Sequence, residues 1–142
     1  MVCPVCGAEA SVELLGAAEV TVGTVAVALE RRPVVACPDG HRATPQEVVG
    51  AAMSAVEDHV VQARSRMLRG DVCRACGTPL TMPVRRTTRA VTVEGDEHRP
   101  VLTLRFDLPS TRCPACSVEQ VPSRSQEDLV VSVPAVFSPP EG

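Results

Sequence analysis

The chain has 142 residues, a formal net charge of −3 and two aromatic residues, Phe106 and Phe137. Lysine is absent, which excludes catalysis by a Schiff-base lysine or a lysine general base, and excludes a P-loop. The acidic balance opposes nonspecific attraction to nucleic acid or anionic membranes. The sequence has neither an export signal nor an apolar run of membrane-spanning length, so we expect a cytoplasmic protein.

The first half of the chain begins with the pair Cys3 and Cys6, followed by Gly7. Three β-prone runs come next, and breaks at Gly16 and around residues 31–33 separate them. The chain then reaches Cys37 and His41. The predicted strands of this half cover residues 11–15, 20–29 and 33–36.

A long helix is predicted to follow, over residues 45–68. Thr44 is the expected N-cap, Pro45 suits the first helical position, and Glu47 would complete a capping box. Apolar residues then recur at helical spacing as far as Met67, and Gly70 is a natural stop. We therefore expect one helix that joins the two halves.

The second half repeats this order of elements. The pair Cys73 and Cys76 precedes predicted strands over 80–84 and 89–94, a polar turn over 95–99, and a strand over 101–108. In the last strand, apolar and polar residues alternate with the period of a half-buried strand. The pair Cys113 and Cys116 follows, then a short helix over 125–133 limited by Pro134, and a disordered tail.

Seven cysteines and one histidine form two sets of four at metal-ligand spacing. An odd number of cysteines in a reducing compartment fits a disulfide framework poorly, and thiolate with imidazole is the donor set that zinc prefers. Iron in a rubredoxin-like site and a redox-active dithiol are less favoured alternatives. The predicted ligands of two zinc ions are Cys3, Cys6, Cys37 and His41 in one set, and Cys73, Cys76, Cys113 and Cys116 in the other.

These motifs resemble those of zinc-ribbon proteins over about residues 1–41 and 72–117. The resemblance implies a small α+β fold, with two tandem zinc ribbons joined by one long α-helix and with structural zinc in both. The expected divisions are a first ribbon over 1–43, a linking helix over 44–70, a second ribbon over 71–122, and a short helix and tail over 123–142. The parallel order of elements suggests an internal repeat.

The fourth ligand of the first set has two candidates, His41 and His59. Its return element has three residues between cysteine and histidine, which departs from the usual four-cysteine ribbon. His59, on the predicted helix, is an alternative to His41, although a surface helical histidine is the more ordinary interpretation. His98 lies in a charged turn and is expected to be solvated.

Three functions fit these observations. The first is a non-enzymatic zinc-binding protein that acts as an adaptor between proteins, since no catalytic motif is present. The second is association with nucleic acid or transcription complexes, through a basic cluster. The third is a redox switch, in which oxidation of the thiolates releases zinc from the first set. The residues of the basic cluster are Arg85, Arg86, Arg89 and Arg105.

Overall fold

The computed structural model describes residues 2–66, 70–80, 85–95 and 100–138. Within them the chain forms ten strands and two helices. In chain order they are β1 (Ser11–Leu14), β2 (Ala18–Val22), β3 (Val25–Leu29), β4 (Pro33–Ala36), β5 (Arg42–Ala43), α1 (Gln46–Asp58), β6 (Arg64–Arg66), β7 (Gly70–Val72), β8 (Arg85–Val93), β9 (Leu102–Arg112), β10 (Glu119–Gln120) and α2 (Ser123–Phe137).

The largest sheet combines strands from both halves of the sequence. Strand β3 pairs antiparallel with β9, with Val27 opposite Phe106 and Leu29 opposite Leu104. Strand β2 lies beyond β3, β8 pairs along β9, and the short β10 also pairs with β9. The two predicted ribbons therefore share one continuous hydrogen-bonded sheet.

The core lies between this sheet and the two helices. The predicted alternation of the strand in the second half is confirmed, because Leu102, Leu104, Phe106 and Leu108 are all buried. Helix α2 packs on β2 and β3, whereas α1 packs on β8 and against α2. Each helix thus covers strands of the opposite half of the chain. Helix α1 contributes Val48, Ala52 and Val56 to the core, and α2 contributes Leu129, Val133, Val136 and Phe137.

Two smaller sheets complete the architecture. Strands β1, β4 and β5 form an antiparallel sheet next to the first cysteine pair. Strands β6 and β7 form a two-stranded sheet that leads into the second pair. Neither described helix is long and apolar enough to cross a membrane.

The predicted α+β fold, with two tandem zinc ribbons joined by one long helix, is wrong. The described residues are mostly β-sheet, and the helix predicted over 45–68 ends at Asp58. Beyond it the chain is extended. The N–H of Ala63 donates to the carbonyl of Val121 at 2.9 Å, and the N–H of Val121 donates to the carbonyl of Val61 at 2.7 Å. Residues 64–66 then form a strand.

Pairing with a distant segment explains why the helix is short. Ala63, placed on the apolar face of the predicted helix, is indeed buried, but in extended backbone next to Val121. The predicted cap is also wrong. Helix α1 begins after Pro45 without a side-chain cap, and the hydroxyl of Thr44 contacts that of Ser138 instead. The helical spacing therefore predicted the burial of Ala63 correctly but its backbone conformation incorrectly.

Several other boundaries differ from the prediction. The strand predicted over 20–29 is a hairpin, which turns at Gly23 with a φ of 54°. Helix α2 continues past Pro134 to Phe137, since Val136 and Phe137 are fully buried. Most of the strand predicted over 80–84, the tip of the polar turn with His98, and most of the tail lie outside the described residues.

Candidate metal centres

Three of the four ligand-bearing turns share one backbone conformation. In the turn that begins at Cys73, the N–H of Gly77 donates to the carbonyl of Cys73 at 2.9 Å, and the N–H of Cys73 donates to the carbonyl of Thr78 at 2.8 Å. The turns at Cys3 and Cys113 contain the same two bonds. This closed turn brings both cysteines of a C-x-x-C pair to one side.

The fifth residue of each such turn has a positive φ. Gly7 and Gly77 have φ values of 75° and 76°, which glycine adopts at little cost. The third turn has Ser117 at this position with a φ of 66°, and it is the sole non-glycine residue with positive φ among those described. The sequence therefore marks two of the turns with glycine and leaves the third strained.

The fourth turn, from Cys37 to His41, is built differently. The N–H of Cys37 donates to the carbonyl of His41 at 3.1 Å, and the N–H of Gly40 donates to the carbonyl of Cys37 at 3.0 Å. Gly40 has a φ of 86°, which allows the chain to return so sharply. A histidine four residues after the cysteine can thus stand beside it.

The structure brings the four predicted side chains of the first set together. One ligand atom from each of Cys3, Cys6, Cys37 and His41 lies within 4.8 Å of all the others. The Sγ atoms of Cys6 and Cys37 are 3.8 Å apart, and Sγ of Cys37 is 3.4 Å from Nδ1 of His41. Tetrahedral zinc would separate two sulfurs by about 3.8 Å and a sulfur from a nitrogen by about 3.5 Å.

His41, and not His59, belongs to this cluster. The ring of His59 faces its own helix, where Nδ1 is 2.9 Å from the carbonyl oxygen of Ala55. The alternative fourth member considered from the sequence is therefore excluded by geometry.

The four cysteines of the second set also converge. Sγ of Cys73 is 3.5 Å from that of Cys116, and Sγ of Cys76 is 3.5 Å from that of Cys113. A disulfide requires about 2.05 Å, so these are free thiols at the spacing of ligands around a common ion. We name the two groups the first cluster (Cys3, Cys6, Cys37, His41) and the second cluster (Cys73, Cys76, Cys113, Cys116).

Each cluster has a buried side and an exposed side. The first cysteine of every turn is buried, with Cys73 fully enclosed, while the second cysteine of every C-x-x-C pair is exposed. The buried cysteines are Cys3, Cys37, Cys73 and Cys113, and the exposed ones are Cys6, Cys76 and Cys116.

Gln120 contacts the second cluster, and the sequence did not reveal this contact. Its side chain is buried, with 1% exposed. Its Nε2 donates to Sγ of Cys73 at 3.0 Å, and its Oε1 accepts from the backbone N–H of Arg74 at 2.6 Å. A donor that orients a ligand sulfur from outside the coordination shell is typical of protein metal sites. No motif identifies it, because its role depends on β10 lying beside the second cluster.

The surroundings of the thiols divide each cluster into sulfurs that ionise easily and sulfurs that do not. Burial raises the pKa of Cys73, but the N–H groups of Cys76 and Ala75 and the amide of Gln120 outweigh it, so the pKa falls to about 6. The N–H of Cys6 and other donors lower the pKa of Cys3 to about 7. The hydroxyl of Thr78 also lowers the pKa of Cys76, so each cluster contains at least one thiol that ionises more easily than a free cysteine.

Two of the four arginines predicted to contact nucleic acid are bound within the chain. Arg86 donates from Nη1 to the carbonyl of Thr24 at 2.7 Å, and its Nε lies 3.2 Å from Oδ1 of Asp107. Arg89 donates to the carbonyl of His59 at 2.9 Å and pairs with Glu119 at 3.3 Å. Arg85 and Arg105 are exposed.

Glu119 connects this basic strand to the second cluster. The Ser110 hydroxyl donates to Oε1 at 3.0 Å, and this bond, followed by Arg89, lowers the pKa of the Glu119 carboxyl. Because Glu119 precedes Gln120 in β10, the pairing with Arg89 helps to place Gln120 beside Cys73. The Arg89–Glu119 pair therefore joins β8 to β10 beside the second cluster.

Comparison of the chain with protein-family models, with curated proteins and with solved structures found no match. The functional interpretation therefore depends on the geometry of the two clusters.

Proposed function

We propose that this protein is a non-enzymatic zinc-binding protein that holds one zinc ion in each cluster. The observation that carries the proposal is the spacing of the ligand atoms, which lie within 4.8 Å of one another in both clusters. The C-x-x-C turns and their resemblance to zinc ribbons support zinc over other metals. The ligands would be Cys3, Cys6, Cys37 and His41 for one ion, and Cys73, Cys76, Cys113 and Cys116 for the other.

The principal role of the zinc would be structural. Four protein ligands complete a tetrahedral shell, whereas catalytic zinc keeps a position open for water or substrate. Each ion would join turns that are more than thirty residues apart in sequence, in a chain whose core contains only two aromatic side chains. Metal binding would therefore contribute directly to folding.

Metal content and stability test this role. We expect two zinc ions per chain, one ion after Cys76→Ser, and loss of tertiary structure when a chelator removes both. Elemental analysis and near-ultraviolet or NMR spectra measure these outcomes. A chain that folds equally well without metal, or that binds a single ion, would overturn the proposal.

We propose further that the protein acts as an adaptor that binds another protein. Exposed valines support this role. Val2 and Val5 beside the first cluster are 63% and 64% exposed, and Val130 and Val131 on α2 are 45% and 58% exposed. The engagement of Arg86 and Arg89 within the chain, together with a net charge that zinc binding would shift to about −6, favours a protein partner over nucleic acid.

Purified components decide between these partners. A protein captured from the native host should bind the purified, zinc-loaded chain directly. Binding should fail for either Val2→Asp/Val5→Asp or Val130→Asp/Val131→Asp, while both variants keep two zinc ions. A salt-dependent mobility shift of nucleic acid, lost in Arg85→Ala/Arg105→Ala, would instead support the nucleic-acid alternative. Substrate turnover by the purified protein would refute the non-enzymatic role.

A further inference from the structure

The two clusters differ in the groups that approach their sulfur atoms. In the second cluster, neutral donors surround the sulfurs. Gln120 donates to Cys73 at 3.0 Å, and the hydroxyl of Thr78 lies 3.2 Å from Sγ of Cys76. In the first cluster, a carboxylate from outside the ligand set approaches one of the sulfurs. Oδ2 of Asp39 lies 3.8 Å from Sγ of Cys6, and within the described ranges no side-chain amide or hydroxyl donates to Cys3, Cys6 or Cys37.

Asp39 lies beside the first cluster but is not one of its four members. It lies in the return turn between Cys37 and His41, and both Asp39 and Cys6 are exposed to solvent. Carboxylate oxygen binds zinc at about 2.0–2.2 Å, so an oxygen and a sulfur on the same tetrahedral ion lie about 3.5 Å apart. The observed 3.8 Å is close to this value. A carboxylate oxygen of Asp39 therefore lies next to the exposed sulfur of the first cluster.

Charge favours such a replacement in the first cluster. Three thiolates and a neutral imidazole around Zn²⁺ have a net charge of about −1, whereas four thiolates have about −2. An additional carboxylate is thus more easily accommodated at the mixed cluster. Removal of the outermost thiolate, that of Cys6, would leave the buried ligands Cys3 and Cys37 and the half-buried His41 in place.

We propose that Asp39 is an exchange ligand, which makes the first cluster an exchangeable zinc site while the second cluster remains structural. This inference depends on the proposed function, since it requires zinc in both clusters. The step is a ligand substitution without electron transfer. The Zn–S bond to Cys6 breaks as a Zn–O bond to Asp39 forms, and the ion then passes to an external acceptor that completes its coordination. Uptake of zinc follows the same route in reverse.

Transfer of zinc to a chromogenic chelator tests the proposal on the full chain. The wild type should release zinc in a fast and a slow phase. Cys37→Ser should remove the fast phase, and Cys76→Ser should remove the slow one. Asp39→Asn should slow both release from the first cluster and uptake into it by about tenfold, the lower end of the effect of a residue outside the coordination shell, and should leave Kd unchanged. Asp39→Glu should restore the rate.

Asp58→Asn is the matched control. It removes one exposed carboxylate at the end of α1, and so makes the same change in net charge. We expect rates within twofold of the wild type. If Asp58→Asn slows exchange as much as Asp39→Asn, the effect is one of overall charge and the proposal is wrong. If Asp39→Asn slows zinc release but not zinc uptake, Kd falls by the same factor as the release rate. Asp39 would then act only by repelling the thiolate of Cys6, and the proposal would again be wrong.

Cobalt substitution provides a direct test of whether Asp39 reaches the metal. In Cys6→Ala, Asp39 should become the fourth ligand, so the chain should keep two Co²⁺ ions with tetrahedral absorption bands. Cys6→Ala/Asp39→Asn should lose one of them. Retention of both ions in the double variant would overturn the inference. A wild-type chain that binds fewer than two metal ions would instead refute the proposed function itself, which keeps the two failures distinct.

Discussion

Replacement of Gln120 by glutamate tests whether the second cluster depends on a hydrogen bond from outside its ligand set. The two side chains have nearly the same shape, and the carboxylate can still accept from the N–H of Arg74. It cannot donate to Sγ of Cys73, which it would approach at about the 3.0 Å of the present contact. The substitution keeps the shape of the buried side chain, but it removes the hydrogen bond to Cys73 and places a buried negative charge beside its sulfur, and both changes weaken the second cluster.

The expected loss follows from the geometry. A hydrogen bond to a charged group contributes about 1.5–3 kcal/mol, and the environment of Gln120, with 1% exposed, offers little water to replace it. The affinity of the second cluster for zinc should accordingly fall by about 10–100-fold, which is the usual effect of losing a partner outside the coordination shell. The first cluster should keep its affinity.

Competition with a chelator of known affinity measures this change, and stepwise removal of the two ions separates the clusters. Gln126→Glu is the matched control, because Oε1 of Gln126 has no hydrogen-bond partner among the described residues and the charge change is the same. A Gln120→Glu chain that holds the second zinc as tightly as the wild type would refute the reasoning, as would an equal loss in Gln126→Glu.

Three further predictions concern the turns and the hairpin tip. Ser117→Gly should raise the free energy of unfolding by about 0.5 kcal/mol in denaturant titrations, because the strain energy removed at the positive φ exceeds the entropic cost of glycine. A destabilised variant would contradict this. Gly77→Ala should lower the free energy of unfolding by about 1–2 kcal/mol, because its Cβ meets open space and only the positive φ opposes it. Gly23→Ala should lower it further, because its Cβ would collide with the Asp128 carboxylate; equal losses would contradict this close approach of Asp128 to Gly23. Asp128→Asn should lower the free energy of unfolding by about 1 kcal/mol at both pH 6 and pH 8, measured with excess zinc. The N–H and hydroxyl of Thr24 lower the pKa of Asp128, so its stabilisation is present above the ordinary carboxyl pKa and is lost only as pH falls through the lowered one. A loss that differs between pH 6 and pH 8 would be inconsistent with this.

The members of the two clusters could be predicted from the sequence because their chemistry is local. A C-x-x-C pair places two sulfurs together through a single turn, and glycine at positions 7 and 77 marks the required backbone. His41 was less certain because its turn is unusual, and only the placement of its ring beside Cys37 separates it from His59.

The fold could not be predicted to the same extent, because tertiary pairing decides it. The apolar period through residues 60–63 fits a helix, yet Val61 and Ala63 bond to Val121, some sixty residues away. The contacts of Gln120 and Asp39 with cysteine sulfurs depend on the same kind of long-range placement. No sequence pattern identifies Gln120, and the spacing of Cys37 and His41 does not single out Asp39 between them; in both cases the neighbouring sulfur comes from a distant turn.

The crossed packing of the helices determines how the protein unfolds. Helix α2 covers β2 and β3, α1 covers β8, and β3 is hydrogen-bonded to β9. Each half of the chain therefore supplies the helix that covers strands of the other half. Neither half could melt alone without uncovering Val27 and Phe106 together. Loss of a zinc ion from either cluster would therefore destabilise both halves, and the chain should unfold in one concerted transition.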